Sequence, residues 1–237
     1  MTKIPVLPKG ILRRLRRALA ARGLVSTLRA ARAHLVMQRL KGIIHVGANL
    51  GQERDDYASY GLNVLWIEPT PWLFEQLKSR ISSHPNQYAV EYLVLDKDGE
   101  IIKLHVANDE GQSSSVMDFA LHKEVYPSIH FIRDIEIKSH KLDTIIDIEH
   151  INLADYDGLV LDTEGSELLI LKGAQRVLRN VRMVKVEVAD FEWYAGCPKP
   201  EQIAEFLGAY GLREWIRVPF AYHRAGGRVY DIIYLRN

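Results

Sequence analysis

The sequence predicts an α/β fold in which helices cover both faces of a doubly wound, mostly parallel sheet. From residue 42 onward, short apolar runs typical of strands alternate with segments of helical periodicity. A Gly-rich turn at 47–51 follows one such run, and an acidic turn at 162–167 follows another. Because ligands of open α/β sheets bind at the carboxyl ends of the strands, we expect both turns to lie at one binding edge.

The segments up to residue 95 predict a βαβαβ unit, which is typical of a parallel sheet covered by helices. Its expected strands are 42–47, 63–68 and 89–95, and its expected helices are 52–60 and 72–82. A turn at 96–99 and an alternating run at 100–106 then predict a hairpin insertion. The polar, irregular segment 108–134 predicts a loop over the site.

The alternation resumes in the second half of the chain and ends in a predicted antiparallel hairpin. The expected order is a helix at 141–149, a strand at 158–162, a helix at 166–179 and a strand at 182–188. A second loop at 190–200, which contains two prolines, precedes a helix at 201–209. Two strands at 212–218 and 229–235, joined by a Gly-Gly turn, complete the sheet.

Composition excludes several classes of protein. Cys197 is the only cysteine among 237 residues, so neither an intrachain disulfide nor a thiolate metal cage can form, which fits a reducing cytoplasm. No apolar run approaches the roughly 20 residues that span a bilayer, and arginines interrupt the N-terminal apolar stretch, unlike in a secretory signal. We therefore expect a soluble cytoplasmic protein with one domain and an appendage.

The appendage is a basic arm at the N-terminus. Residues 1–42 hold eleven of the 31 lysines and arginines and none of the 30 acidic residues. Apolar residues recur there at helical spacing, which predicts an amphipathic helical arm at 1–40 and a domain at 41–237. Such an arm can pack on its own or a sister chain, or lie on the inner face of a membrane. Nucleic acid is disfavoured as its partner, because no aromatic residue lies between the basic ones and the domain is acidic.

The Gly-rich turn and an acidic strand end predict a nucleoside site. Gly47 and Gly51 allow a ligand to approach the backbone closely. Glu68 ends the second strand 17 residues after Gly51, where a carboxylate can accept both hydroxyls of a ribose. The spacing differs from the G-x-G-x-x-G of dinucleotide binders. A tight turn and an exposed strand end, without any ligand, would explain the same residues.

Together these motifs resemble the FkbM family of S-adenosylmethionine-dependent methyltransferases over residues 42–190. The resemblance rests on G-A-N-L-G at 47–51, E-P at 68–69, K-L-D at 141–143, D-T-E-G-S-E at 162–167 and L-K-G-A at 171–174. It implies a Rossmann-like class I methyltransferase fold, a seven-stranded sheet whose last strand is antiparallel. It also implies S-adenosylmethionine as cofactor and a hydroxyl of a sugar, glycan or natural product as acceptor.

The predicted cofactor contacts lie on the first two turns and on the insertion. They are His45, Gly47, Ala48, Asn49, Gly51, Glu68, Asp96 and Ser114. His45 departs from the family pattern, which often has Asp at this position. Asp96 ends the third strand, where it can meet the adenine or start its turn, and Ser114 lies where family members often have a serine pair.

The acidic turn carries the predicted chemistry. Methyl transfer is an in-line attack on a sulfonium carbon, and an alcohol is a very weak acid, so the acceptor needs a general base. We assign this role to Asp162, with Glu164 as the second candidate. Glu167 fits a helix-capping role better, because acids are favoured in the first helical turn. Glu187 can face the acceptor or pair with a lysine.

Two further functions remain open, and no metal site is expected. His105, His122 and His130 lack the spacing of metal ligands and are expected at the surface or in loops. An NAD-dependent Rossmann oxidoreductase is one alternative, although the missing third glycine and the acidic turn argue against it. A non-catalytic nucleoside-binding module, recruited through its basic arm, is the other.

Overall fold

The computed structural model describes residues 34–236, so the predicted arm at 1–40 lies outside the described residues except for 34–40. The described strands are β1 (Gly42–Val46), β2 (Asn63–Ile67), β3 (Gln87–Val90), β4 (Leu93–Val94), β5 (Ile101–Ala107), β6 (Phe131–His140), β7 (Gly158–Leu161), β8 (Met183–Ala189), β9 (Leu212–Tyr222) and β10 (Arg228–Arg236). After a helical turn at 34–37, the α-helices are α1 (Arg54–Ser59), α2 (Pro71–Ile81), α3 (His122–Val125), α4 (Leu142–Ile148), α5 (Glu167–Lys172), α6 (Gln175–Asn180) and α7 (Pro200–Gly208). None of these helices is long and apolar enough to cross a bilayer.

Seven of the strands form one sheet in the order β3-β2-β1-β7-β8-β10-β9. The pairs β1·β2, β2·β3, β1·β7 and β7·β8 are parallel. The last strand, β10, is antiparallel to both of its neighbours, β8 and β9. This arrangement confirms the predicted mostly parallel, seven-stranded sheet with an antiparallel last strand.

Continuous apolar sequence explains the two central strands. All five residues of β1 and all four of β7 are buried, as expected for parallel strands that are covered on both faces. On one face, Ile44 and Leu159 belong to a core that α4, α5, α6 and α7 complete. On the other face, Ile43 and Val160 pack in a second core, to which Leu40 of the segment before β1 also contributes.

The carboxyl edge of the sheet places the two predicted turns side by side. β1, β7 and β8 are neighbours, and their last paired residues lie side by side. The residues that follow them in the chain are Gly47 after β1, Asp162 after β7 and Glu187 in β8. These three residues therefore leave the sheet next to one another. Asp231 of β10 is the strand partner of Glu187 and continues the same row.

The insertion between β3 and α4 differs from the prediction. The segment 108–134, predicted as a loop, contains α3 and the beginning of β6, a strand that was not predicted. β6 pairs with β5 and β4 in a separate three-stranded sheet. Only Ser139 of its ten residues is fully buried, so β6 lacks the apolar run that identifies a core strand.

Two predicted elements are each divided in the structure. The predicted strand 89–95 consists of β3, which pairs with β2, and of β4, which pairs with β6. The predicted helix 166–179 is interrupted at Gly173, between α5 and α6. A Cβ on Gly173 would lie 2.2 Å from the backbone oxygen of Leu95, so the glycine permits contact between this helix junction and the end of β4.

Candidate active site

The Gly-rich turn touches the acidic turn directly. Gly47 has a φ of +82°, and a Cβ at this position would lie 1.8 Å from the backbone oxygen of Asp162. The amide of Asp162 donates a hydrogen bond to the backbone oxygen of Val46 at 3.1 Å. The absence of a side chain at Gly47 is therefore what allows the two turns to meet.

Glu68 lies beneath the Gly-rich turn and accepts two backbone hydrogen bonds. The amide of Asn49 donates to its Oε2 at 2.8 Å, and the amide of Thr70 donates to its Oε1 at 3.0 Å. Burial raises the pKa of Glu68, and these hydrogen bonds oppose the rise. Each carboxylate oxygen keeps acceptor capacity beyond its one backbone partner, and Glu68 lines a cavity, so the residue can receive ligand hydroxyls.

Two adjoining cavities lie along the carboxyl edge. The first, of about 70 Å³, lies between the Gly-rich turn, the end of β2, the end of β7 and residues 111–116. The second, of about 420 Å³, lies on the other side of Asp162. Both cavities are lined by Gly47, Asn49, Gln112, Asp162 and Glu164.

The first cavity is narrow because the insertion lies over it. The side-chain amide of Asn49 donates to the backbone oxygen of Glu110 at 3.0 Å. Within the insertion, the amide of Ala107 donates to Oγ of Ser114 at 3.1 Å. The bond from Asn49 joins the insertion to the Gly-rich turn.

Asp162, Glu164 and Glu187 form a carboxylate cluster at the boundary between the cavities. One carboxylate oxygen from each lies within 4.8 Å of the other two. Burial raises the pKa of Asp162 to about 6, while the positive charge of Lys185 opposes the rise. Burial and the charge of Asp162 raise the pKa values of Glu164 and Glu187 well above the usual range.

The turn that carries Glu164 is held by three side chains. Glu164 has a φ of +54°, which is unusual for a residue with a side chain. Ser115 donates from Oγ to its backbone oxygen at 2.7 Å, and the hydroxyl of Tyr194 donates to its Oε2 at 2.8 Å. Glu167 accepts bonds from the amides of Thr163 and Gly165 at 3.1 and 3.2 Å. These contacts fix the turn, and they give Glu167 the structural role that the sequence favoured.

Lys185 and Asp231 form a partly exposed ion pair beside the cluster, which the sequence did not predict. The Nζ atom of Lys185 lies 2.7 Å from Oδ1 of Asp231. Burial alone would lower the pKa of Lys185, but the charges of Asp231 and Asp162 outweigh burial and raise it. The only sequence signal for this pair was a lysine within β8 and an aspartate within β10, two largely apolar strands.

The remaining predicted cofactor residues are distributed around the cavities. His45 and Ala48 are buried and line the second cavity, and Ser114 lines the first. Gly51 faces α2 instead, because a Cβ there would lie 2.7 Å from a methyl carbon of Leu77. Asp96 lines neither cavity among the described residues and adjoins the end of β4. Cofactor contact therefore stays a prediction for all of them, with the weakest geometric support for Gly51 and Asp96.

The three histidines of the insertion do not share one environment. His105 lies near the surface, with Nδ1 2.6 Å from Oδ1 of Asp134, and His130 lies in an exposed loop. His122 is buried, contrary to expectation, and lines the second cavity. It packs between the rings of Phe119 and Trp193.

The chain matches the family model described as the methyltransferase FkbM domain over residues 45–214. No curated protein matches it significantly. Among solved structures, magnesium protoporphyrin IX methyltransferase from Synechocystis PCC 6803 with bound S-adenosylmethionine is 11% identical, with 99% of this chain and 87% of that chain covered and a TM-score of 0.48. Precorrin-6y C5,15-methyltransferase from Geobacter metallireducens is 14% identical, with coverages of 92% and 93% and a TM-score of 0.46. The N-methyltransferase NodS from Bradyrhizobium japonicum is 9% identical, with coverages of 90% and 99% and a TM-score of 0.47.

The family match covers most of the chain and includes both turns of the candidate site. It agrees with the strand order and with the resemblance found in the sequence motifs. The chain therefore belongs to the FkbM family of S-adenosylmethionine-dependent methyltransferases.

Proposed function

We propose that the enzyme transfers a methyl group from S-adenosylmethionine to a hydroxyl of a sugar, glycan or natural product. The observation that carries this proposal is the position of Asp162, whose carboxylate lies where the two cavities meet. A cofactor in the first cavity and an acceptor in the second would then face each other across this residue.

The residues around the first cavity have the chemistry to hold the cofactor. Glu68 offers carboxylate oxygens to the ribose hydroxyls, as the equivalent acid does in dinucleotide folds. Val94 and Ile170 supply apolar surface, and the Gly-rich turn supplies backbone at close range. When bound, the cofactor supplies an electrophilic methyl group on a sulfonium centre.

Asp162 would act as the general base. The Asp162 carboxylate would accept the hydroxyl proton while the acceptor oxygen bonds to the methyl carbon and the electron pair of the carbon–sulfur bond returns to sulfur, which would become a thioether. A pKa of about 6 makes Asp162 a stronger base than an exposed carboxylate, yet leaves it mostly ionised at neutral pH. Glu164 is the second candidate for this role.

Asp162→Asn tests the assignment. We expect kcat to fall by about 10²- to 10⁴-fold, the usual contribution of a general base. Calorimetry should show S-adenosylhomocysteine binding within a few-fold of wild type, because Asn preserves the shape of the side chain. Transfer of labelled methyl groups to an extract, followed by NMR of the product, gives both the rate and the methylated atom. Asp147→Asn, at a side chain that is 66% exposed, is the matched control.

The same measurements separate the competing functions. Tight binding of NAD, with none of S-adenosylhomocysteine, would support the oxidoreductase. Tight binding of S-adenosylhomocysteine without methyl transfer to any acceptor would support a non-catalytic module. A methyl group on nitrogen or carbon would contradict hydroxyl methylation but leave the methyltransferase assignment intact.

We also propose that the enzyme works in the cytoplasm, where its basic arm binds an anionic membrane surface or a sister chain. The charge distribution of residues 1–42 supports this proposal. Leu40 packs on the domain, so a truncation should retain it. Removal of residues 1–33 should abolish binding to anionic liposomes, or dissociate an oligomer, with the fold unchanged. If the truncated protein keeps both its liposome binding and its oligomeric state, the proposal is contradicted.

A further inference from the structure

The second cavity is strongly acidic, and this property bears on the acceptor if the proposed function holds. Among residues 34–236, the side chains that line it include five carboxylates but no lysine or arginine. The five are Glu53, Asp109, Asp162, Glu164 and Glu187. An acceptor with phosphate or carboxylate groups would be repelled by this lining.

Within the part of the chain that the structure describes, no lysine or arginine side chain lines the cavity beside the carboxylate cluster. The charge of Lys185 acts on Asp162 and Glu187, but Lys185 is paired with Asp231 and does not line the cavity. No described side chain donates a hydrogen bond to Glu187. The side chains of Tyr194 and Trp193 both interact with the carboxylate of Glu164. A positively charged ligand group would offset both the burial of these carboxylates and the repulsion from Asp162, the two causes that raise the pKa values of Glu164 and Glu187.

Aromatic side chains form other parts of the same cavity. Trp193 is buried in its wall, and Tyr126 and Phe220 line it while keeping 40% and 45% of their surface exposed. Aromatic faces attract organic cations, particularly where carboxylates lie nearby. A cavity of about 420 Å³ also has room for more than a bare ion.

His122 gives an independent indication that a polar ligand enters here. The residue is 1% exposed and lines the cavity, and its Nδ1 has no hydrogen-bond partner among the described residues. Buried polar atoms are rarely left without a partner. Burial lowers the pKa of His122 to about 4, so the ring is neutral at pH 7 and can serve a ligand hydroxyl without adding positive charge.

We infer that the acceptor carries a protonated amino group close to the hydroxyl that is methylated, as in an amino sugar. Glu164 and Glu187 hold the ammonium group, the aromatic side chains contact the carbon skeleton, and Asp162 remains available for the hydroxyl proton. The inference rests on the proposed function, because the second cavity must be the acceptor site.

Calorimetry on the full-length protein saturated with S-adenosylhomocysteine tests the inference. D-glucosamine is the probe, since it is the simplest sugar with an ammonium beside hydroxyls. N-acetyl-D-glucosamine and D-glucose are its uncharged counterparts, and magnesium chloride tests for a metal site. We expect glucosamine to bind at least ten-fold more tightly than either neutral sugar. We expect Glu187→Gln to remove this preference, while Glu205→Gln, at an exposed position on α7, preserves it.

Each outcome has a defined meaning. Equal binding of charged and neutral sugars, no detectable binding of glucosamine, or a preference that survives Glu187→Gln would overturn the inference. Magnesium binding that Glu187→Gln abolishes, without any preference for the amine, would assign the cluster to a divalent cation instead. Failure of the protein to bind S-adenosylhomocysteine in the first step would refute the proposed function, which keeps the two failures distinguishable. Unchanged affinity of the Glu187→Gln variant for S-adenosylhomocysteine shows that it is folded.

Discussion

Gly47→Ala should disable the site through the backbone of the catalytic turn. A methyl group at this position would lie 1.8 Å from the backbone oxygen of Asp162, so the two turns would have to separate by more than 1 Å to relieve the overlap. The positive φ of Gly47 adds a strain of about 1–2 kcal/mol for any residue with a Cβ. Forced repacking of a buried contact typically costs another 1–3 kcal/mol. We therefore expect a total destabilisation of about 2–5 kcal/mol.

Gly196→Ala is the matched control for this change. Gly196 also has a positive φ, of +74°, but a Cβ there would meet nothing within 4 Å. Urea unfolding of the two variants should thus separate strain, which both share, from the clash, which only Gly47→Ala introduces. Calorimetry should show weaker binding of S-adenosylhomocysteine by Gly47→Ala alone. Equal losses of stability in both variants, with cofactor affinity intact, would refute the close contact between the turns.

Three further changes test the surroundings of the site. Glu68→Gln should weaken S-adenosylhomocysteine binding at least ten-fold, as measured by calorimetry. The reason is that the NH₂ group of the new side chain must face the backbone amide of Asn49 or Thr70, each of which donates to Glu68. Unchanged affinity would contradict the ribose contact. Burial lowers the pKa of His45 to about 4, so the folded state excludes a proton that the unfolded state binds below pH 6.5. The contribution of His45 to the free energy of unfolding is fully present above pH 6.5 and falls by about 2.5 kcal/mol between pH 8 and pH 4.5. Urea unfolding of His45→Gln should not show this decline. Burial raises the pKa of Glu167 to about 7, so its contribution to stability falls as pH rises from 4.5 through 7. By urea unfolding, Glu167→Gln should therefore be more stable than wild type at pH 8 by about 3 kcal/mol.

Strand ends made the row of site residues predictable from the sequence. A short apolar run before Gly47, another before Asp162 and a third before Glu68 each predicted a buried parallel strand, and parallel strands end at a common edge. The pairing of β1 with both β2 and β7 brings these ends together. Local pattern was sufficient here because the topology of a doubly wound sheet leaves few alternatives.

Residues whose role depends on distant pairing were not predictable in the same way. Lys185 pairs with Asp231, 46 positions later in the numbering, only because β10 lies antiparallel to β8 in one particular register. Trp193 and Tyr194 lie in the segment predicted as a loop, and their contacts with the insertion, such as the bond from Tyr194 to the backbone oxygen of Ser113, join segments far apart in the chain. Sequence periodicity carries no information about such contacts, since they are set by tertiary packing.

The register of the central strands connects the stability of the core to the chemistry of the site. Because successive side chains of a strand point to opposite faces, a slip of one residue between β7 and its neighbours would turn Asp162 to the other face of the sheet. Such a slip would also exchange Leu159 and Val160 between the two cores, whose volumes they fill with no appreciable exposure. Core packing therefore opposes a one-residue slip and favours the register that places Asp162 beside both Gly47 and Glu187. A core substitution such as Leu159→Ala, which costs about 2–5 kcal/mol, should lower the stability of the enzyme without moving the carboxylate row of the remaining folded molecules.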